Sequence, residues 1–138
     1  MSSNQYAPPG NSGHETANKA IIEQLWDCLG RRDFDGVGAL FSPTGQYIDV
    51  PVIGGDTGAI GPKEVAARLR LGIGPLREYI LHPGPMLAQG DMVMTEHSEE
   101  WFWETGEHHL VRFASVHEVR DGLVERWWDY VDLGQLVA

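Results

Sequence analysis

From Leu76 onward the chain consists of short segments in which polar and apolar residues alternate, and this pattern limits the possible folds more than any other. A period of two places successive side chains on opposite faces of a β-strand. Turn signals divide this half of the chain into successive strands, at Gly84-Pro85, Gln89-Gly90-Asp91, Thr105-Gly106-Glu107 and Arg120-Asp121-Gly122. The pattern predicts an antiparallel meander.

Before Leu76 the spacing of apolar residues is helical instead. A stripe at three- and four-residue intervals is formed by Ile21, Ile22, Leu25, Trp26 and Leu29. This stripe is typical of an amphipathic helix, and Gly30 is expected to end it. A short second helix is predicted at residues 35–41. A third helix is predicted to begin at Pro62, with Val65 and Leu69 on its buried side.

The segment between the second and third helices is predicted to hold one strand. Ser42-Pro43-Thr44-Gly45 has the composition of a turn, and residues 46–52 have that of a strand which Pro51 ends. Residues 54–61 are rich in glycine and are interpreted as a connection or lid. Helices followed by an antiparallel meander predict the α+β fold class.

Length and charge limit the number of domains and the kind of partner. The 138 residues suit one domain, predicted at residues 16–138 behind a flexible N-terminal tail at residues 1–15. The net charge is −10, and Lys19 and Lys63 are the only lysines, so no basic face for nucleic acid is visible. No apolar run approaches the roughly 18 residues of a membrane span. We expect neither nucleic acid nor a membrane as partner.

Two further features favour the cytoplasm as the location. Residues 1–13 lack the basic start and apolar stretch of a signal peptide. The one cysteine, Cys28, cannot form an internal disulfide, which suits a reducing compartment. Cys28 lies among the apolar residues of the first helix, and we interpret it as a buried structural thiol.

Several strand faces combine polar residues with large apolar ones. Alternation places Glu96, Ser98 and Glu100 on one face of the strand from Met92 to Trp103. The opposite face carries Thr95, His97, Glu99 and Trp101. The same alternation groups Tyr47 with Asp49, Val111 with Phe113, and Trp127 with Asp129 and Val131. A solvated strand edge would explain any one of these residues, whereas the joint pattern favours a ligand pocket with apolar walls and a few converging polar groups.

The histidines do not predict a metal site. Four of them lie in the second half, at positions 97, 108, 109 and 117. His108 and His109 are adjacent and therefore point to opposite faces of a strand, which leaves no set of three ligands on one face. We predict no metal and no cofactor. His109 is compatible with a pocket position beside Phe113 and equally with an ordinary core or surface position.

Three motifs resemble the limonene-1,2-epoxide hydrolase family. Residues 95–99, Thr-Glu-His-Ser-Glu, resemble its Thr-Glu-Arg-x-Asp strand. Residues 122–133, Gly-Leu-Val-Glu-Arg-Trp-Trp-Asp-Tyr-Val-Asp-Leu, are similar to its closing Gly-Lys-Ile-x-x-Trp-Arg-Asp-Tyr-Phe-Asp-Leu strand. Residues 47–51, Tyr-Ile-Asp-Val-Pro, are similar to its Tyr-x-Asn-x-Pro. The likeness runs from about Lys19 to Val137.

The resemblance implies a fold and an assembly. The wider nuclear transport factor 2-like or SnoaL-like superfamily, which includes ketosteroid isomerases and polyketide cyclases, shares the shape. That shape is a cone: a curved antiparallel or mixed sheet wrapped by about three N-terminal helices. Relatives pair through their sheets, so the resemblance also implies a homodimer.

The resemblance further implies a one-step acid–base opening of a small lipophilic epoxide to a vicinal diol. Asp129 matches the aspartate that takes a proton from water, and Tyr47 matches the tyrosine that helps to hold this water. Asp49 stands where an asparagine does the same. Glu99 stands at the acid that protonates the epoxide oxygen, and His97 at the arginine that bridges the two acids. The expected pocket walls are Leu25, Leu69, Trp101, Val111, Phe113, Trp127 and Val131.

Three of the five implied catalytic positions differ from the family pattern. A histidine at position 97 can be neutral at pH 7, whereas arginine stays charged. Glu99 places the acid about one methylene further out, and Asp49 adds a third ionisable carboxyl to the site. Two alternatives therefore remain open. One is an isomerase, dehydratase or cyclase with Asp49 or Asp129 as base and His97 or Glu99 as acid. The other is a non-catalytic small-molecule binding protein.

Overall fold

The computed structural model describes residues 10, 13–49, 58–132 and 134. The elements are, in chain order, α1 (Glu15–Gly30), α2 (Phe34–Gly38), β1 (Phe41–Asp49), β2 (Ala59–Ile60), α3 (Gly61–Ile73), β3 (Glu78–Gln89), β4 (Met92–Phe102), β5 (His108–Arg120) and β6 (Leu123–Val131). The strands form one mixed sheet in the order β2-β1-β6-β5-β4-β3. The predicted α+β class, with three helices and a curved sheet, is confirmed.

The helices follow their apolar spacing. In α1 the side chains of Ile22, Leu25, Trp26 and Leu29 are buried, as the stripe predicts. Cys28 is buried on the same helix, which confirms its predicted burial. Pro62 lies in the first turn of α3, a position that needs no backbone N–H donor.

The second helix is shorter than predicted. It begins at Phe34, where the Asp33 side chain accepts a hydrogen bond of 2.9 Å from the Gly36 backbone N–H and thereby caps the first turn. It ends at Gly38, so the prediction of a helix over 35–41 is wrong at its C-terminal end. Phe41 instead begins β1, and its buried side chain belongs to the core.

Strands β3 to β6 form the predicted antiparallel meander. The turns predicted around Gly90, Gly106 and Gly122 each separate two strands. The turn predicted at Gly84-Pro85 is wrong, because β3 continues through it with a shift of register between Pro83 and Met86. Proline has no N–H to donate, and a bulge in an edge strand such as β3 tolerates that loss.

Strand β1 begins earlier than predicted. The proposed turn at residues 42–45 lies inside it, where the pairing with β6 shifts register between Phe41 and Gln46. β1 pairs in parallel with β6, which brings Asp49 opposite Asp129. The predicted end at Pro51 lies outside the described residues, as do residues 54–57 of the predicted connection. The described end of that connection contains β2, after which α3 begins at Gly61.

The core lies between the sheet and the helices that cover its inner face. Helix α1 packs on β3, β4 and β5, and α3 packs on β1. The Trp26 ring of α1 meets the Trp127 ring of β6 edge-on, with 5.6 Å between ring centroids. Tyr47 of β1 stacks on the same Trp127 ring, with 4.2 Å between ring centroids. These aromatic contacts join both halves of the chain at the position where the candidate site lies.

The boundaries of the domain and its tail stay predictions. Most of the predicted tail at residues 1–15 lies outside the described residues, and α1 already begins at Glu15. Within the described ranges, no helix has both the length and the apolar character needed to cross a membrane.

Gly84→Ala is expected to lower the free energy of unfolding by about 1–3 kcal/mol. The added Cβ would overlap the backbone carbonyl oxygen of Glu96, and backbone cannot move aside as a flexible side chain can. Urea denaturation measures the change. Gly72→Ala is the matched control, because no atom lies within 4 Å of a Cβ added there. This control should be at least as stable as the wild type, since alanine favours a helix. Equal stability of Gly84→Ala and wild type would contradict the close packing at the bulge.

Candidate active site

A mostly apolar cavity of about 450 Å³ lies between the inner face of the sheet and the helices. Nine of the twelve residues predicted for the site line this cavity. They are Tyr47, Asp49, Leu69, Glu99, Trp101, Phe113, Trp127, Asp129 and Val131. The structure therefore brings three carboxyl groups from strands β1, β4 and β6 to one apolar space.

Three predicted residues do not line the cavity. Leu25 and Val111 are fully buried in the core, and Leu29, one turn after Leu25, lines the cavity instead. His97 is buried and does not line the cavity, but it contacts Glu99, which does. Periodicity places each of these residues on the correct side of its element but does not give its depth.

Asp129 is held by two hydrogen bonds to a single oxygen. Ser115 Oγ and Trp127 Nε1 both donate to Asp129 Oδ1, each at 2.6 Å. Burial raises the pKa of Asp129 well above its usual value, and the neighbouring Asp49 raises it further. The two hydrogen bonds lower this pKa, because they stabilise the ionised form, but burial outweighs them. Once ionised, Asp129 is accordingly a stronger base than an ordinary carboxylate.

Tyr47 and Asp49 lie beside Asp129 on β1. Register pairs Tyr47 with Trp127 and Asp49 with Asp129 across the parallel strands. The Tyr47 hydroxyl donates to Asp49 Oδ1 at 3.2 Å. Burial and the nearby Asp129 raise the pKa of Tyr47 well above 10, so its hydroxyl keeps its proton at neutral pH. Asp49 lies opposite Asp129, and its charge contributes to the raised pKa of Asp129.

Glu99 is hydrogen-bonded at both of its oxygens. Trp101 Nε1 donates to Oε1 at 2.9 Å, and His97 Nε2 lies 3.0 Å from Oε2. The imidazole of His97 stacks on Phe113 at a centroid distance of 4.8 Å and contacts Trp26 at 4.4 Å. The His97 imidazole therefore packs between the two rings, while Glu99 lines the cavity.

Four polar residues at or near the cavity were not predicted for the site, and one of them, Arg68 of α3, lines the cavity together with the carboxyls. Ser115 and His117 continue the inward alternation of Val111 and Phe113 on β5, so extending that pattern by four residues would have found them. Tyr79 on β3 pairs in register with Trp101. Burial, followed by the charge of Glu99, raises the pKa of the buried Tyr79 well above 10.

His117 is a neutral histidine of the core. Its Nδ1 lies 3.1 Å from the carbonyl oxygen of Val93. Burial lowers the pKa of His117 from 6.5 to about 3. The side chain therefore carries no charge at neutral pH, and the proton on Nδ1 is fixed by the carbonyl acceptor.

The remaining histidines lie away from the cavity. His108 Nε2 is 3.0 Å from Glu100 Oε1, and His109 Nε2 is 3.5 Å from Glu107 Oε2. His109 thus takes a partly exposed position instead of lining the cavity. Within the part of the chain that the structure describes, no three His, Cys, Asp or Glu side chains are arranged to hold a metal ion.

A family model described as the SnoaL-like domain matches residues 22–127. The chain belongs to the SnoaL-like family. The matched segment runs from the first buried turn of α1 to Trp127, and it includes Tyr47 and Glu99. No curated protein matches the chain in sequence.

Solved structures share this SnoaL-like fold at low identity. An LEH-like epoxide hydrolase from M. tuberculosis is 24% identical, with a TM-score of 0.74 over 88% of this chain and 87% of that one. A provisionally assigned SnoaL-like polyketide cyclase from Jannaschia sp. CCS1 is 16% identical, with a TM-score of 0.77 over 91% and 92%. TerC, co-crystallised with polyporic acid, is 20% identical, with a TM-score of 0.74 over 86% and 94%. At these identities the likeness shows the fold alone.

His117→Gln is expected to weaken the loss of stability in acid. The folded state binds a proton at His117 only near pH 3, whereas the unfolded state binds it near pH 6.5. As pH falls below about 6.5, His117 therefore removes stability at up to about 1.4 kcal/mol per pH unit, until the folded pKa is reached. Urea unfolding at pH 7, 6 and 5 measures this slope.

The control is Gln24→Asn on the exposed face of α1, which changes no ionisable group and should leave the slope unchanged. An identical slope in His117→Gln and wild type would show that His117 is not held neutral by the fold.

Proposed function

We propose that this SnoaL-like protein hydrolyses a small lipophilic epoxide to a vicinal diol in one acid–base step, without a cofactor. The observation that carries the proposal is the pair of buried carboxyl groups, Glu99 and Asp129, that line one mostly apolar cavity. They lie on β4 and β6, which are separated by β5. Their partners on β5 are Val111 and Ser115, so the two carboxyls are offset by four residues along the sheet. Both line the same cavity, and the charge of Glu99 contributes to the raised pKa of Asp129.

Asp129 acts as the base in this proposal. Both of its hydrogen bonds fall on Oδ1, so Oδ2 is the oxygen available to a water molecule. As the water oxygen attacks an epoxide carbon, Asp129 takes a water proton and the bond between that carbon and the ring oxygen breaks. A base must act on the water while an acid acts on the ring oxygen, because water is a poor nucleophile and an alkoxide is a poor leaving group.

Glu99 acts as the acid. It gives its proton to the ring oxygen as that oxygen leaves, and the product is then a neutral diol. Trp101 fixes one oxygen of Glu99, and His97 contacts the other. After the diol leaves, one proton must return from Asp129 to Glu99, which restores both groups for the next turnover.

A second function is favoured by one specific observation, the carboxylate at position 49. Asp49 lines the cavity and accepts a hydrogen bond from Tyr47. A carboxylate in an apolar cavity is a suitable base for removing a proton next to a carbonyl group, as in an isomerase, dehydratase or cyclase. The structural likeness to the provisionally assigned polyketide cyclase is compatible with this alternative. Deuterium exchange into steroid-like or polyketide-like ketones, abolished by Asp49→Asn, would support it.

Asp129→Asn and Glu99→Gln are each expected to lower the rate of diol formation by about 10²–10⁴-fold, because each removes one partner of the proton transfer. The measurement is mass spectrometry of diol formed from a panel of cyclic and terpenoid epoxides in oxygen-18 water. One labelled oxygen should enter the diol, and its position reports the carbon attacked.

Asp27→Asn is the control for the same chemical change, on the exposed face of α1, and should retain full activity. Folded wild-type protein that forms no diol from any epoxide of the panel would overturn the proposal. Activity that depends on Asp129 would exclude a purely non-catalytic binding protein.

Asp49→Asn is expected to move the rising limb of the pH–rate profile to lower pH, by on the order of one unit. Asp129 must be ionised to act as a base, so the rate rises with pH through its raised pKa. The neighbouring Asp49 carboxylate contributes to that raised pKa, and asparagine removes this charge. The measurement is kcat/KM from pH 5 to 9. A limb at unchanged pH would show that the two carboxyls are not coupled.

A further inference from the structure

Three buried polar side-chain atoms on strands β4 and β5 make no hydrogen bond to any described residue. They are Thr95 Oγ1, His97 Nδ1 and His117 Nε2. All three side chains point inward from β4 and β5, and each residue is less than one-tenth exposed. An unpartnered polar atom in such a place costs stability, and native proteins usually satisfy it with protein or internal water.

The three side chains lie next to one another on the sheet. Thr95 is two residues from His97 on the same face of β4, and His117 pairs in register with Val93, two residues to the other side of Thr95. The ring of Trp26 contacts both imidazoles, with centroids 4.4 Å from His97 and 5.4 Å from His117. Thr95 therefore lies between two histidines that share one indole neighbour.

The proton at one end of this cluster has a fixed position. A carbonyl oxygen can only accept, so the contact between His117 Nδ1 and the Val93 carbonyl places a proton on Nδ1. Because burial keeps the pKa of His117 at about 3, the ring is neutral and its Nε2 bears a lone pair. His117 Nε2 is thus an acceptor that requires a donor.

We propose that Thr95 and His117, joined by internal water, form a hydrogen-bond chain that keeps a proton on Nδ1 of His97 and leaves Nε2 as an acceptor for Glu99. A buried water molecule makes about three hydrogen bonds, which matches the three unpartnered atoms. In the proposed arrangement this water donates to His117 Nε2 and to Thr95 Oγ1, and it accepts from His97 Nδ1. Thr95 and His117 are positioning residues, because they act through His97.

The consequence for catalysis rests on the proposed function. The hydrogen-bond chain of Thr95, His117 and His97 does not depend on that function. A His97 that is unprotonated at Nε2 accepts a hydrogen bond from the protonated carboxyl of Glu99 and carries no charge. Glu99 then keeps the proton that the epoxide oxygen needs. An arginine at position 97 would favour the ionised carboxylate instead, so the chain gives a physical role to the histidine.

The test is ring nitrogen-15 NMR of the full chain at neutral pH without any substrate. The spectrum of His97→Gln identifies the His97 signals among the six histidines. In the wild type we expect His97 to be protonated at Nδ1 and unprotonated at Nε2, although free histidine prefers the opposite tautomer. Thr95→Val removes the hydroxyl at nearly constant shape and should shift the tautomer ratio about fivefold toward protonated Nε2. Thr95→Ser keeps the hydroxyl and should restore the wild-type ratio.

A proton on Nε2 of His97 in the wild type would overturn the proposal, and this result needs no variant to fold. A ratio that Thr95→Val leaves unchanged would overturn it as well. The experiment is independent of turnover. If the protein shows the expected tautomer and its response to Thr95→Val but hydrolyses no epoxide, the hydrogen-bond chain is supported and the proposed function is refuted.

Discussion

Asp129 and Glu99 are buried in a cavity with mostly apolar walls, and the neighbouring side chains are arranged to offset the cost of that burial. An ionised carboxylate without partners would be strongly disfavoured there. The indole donors Trp127 and Trp101 each lie two residues from the carboxyl they contact, on the same strand face. Ser115 lies on the neighbouring strand β5 and pairs directly with Asp129 of β6. The periodicity of the sheet thus supplies the hydrogen bonds that allow carboxyls in its interior.

The two carboxyls nevertheless have different surroundings. Asp129 has another carboxyl, Asp49, opposite it, and two neutral donors on one oxygen. Glu99 has an imidazole and an indole, one on each oxygen. Unequal surroundings separate the proton affinities of paired acids, and such a difference is the usual basis for assigning one carboxyl as base and the other as acid. The SnoaL-like fold supplies the cavity, while these few side chains give its carboxyls their different surroundings.

Sequence periodicity predicted the faces of the strands well, because alternation is a local property of the backbone. It placed His97, Glu99 and Asp129 inward, and the structure agrees. It failed where the outcome depends on a partner strand. The prolines around Gly84 suggested a turn, but pairing with β4 absorbs them as a bulge. Periodicity also does not give the depth of a residue, since Leu25 has the correct helix face, yet it is fully buried in the core and does not line the cavity.

The parallel pairing of β1 with β6 joins distant parts of the chain. Trp128 Nε1 donates to Gln46 Oε1 at 3.0 Å, across 82 positions of sequence. Closing so long a loop costs entropy before any contact offsets it, and pairing of this kind is slow to form. A chain still emerging from the ribosome would lack β6 and would expose the edges of β1 and β5. Unpaired edges of this sort invite pairing with other chains, so completion of the last strand both assembles the carboxyl cluster and removes a route to aggregation.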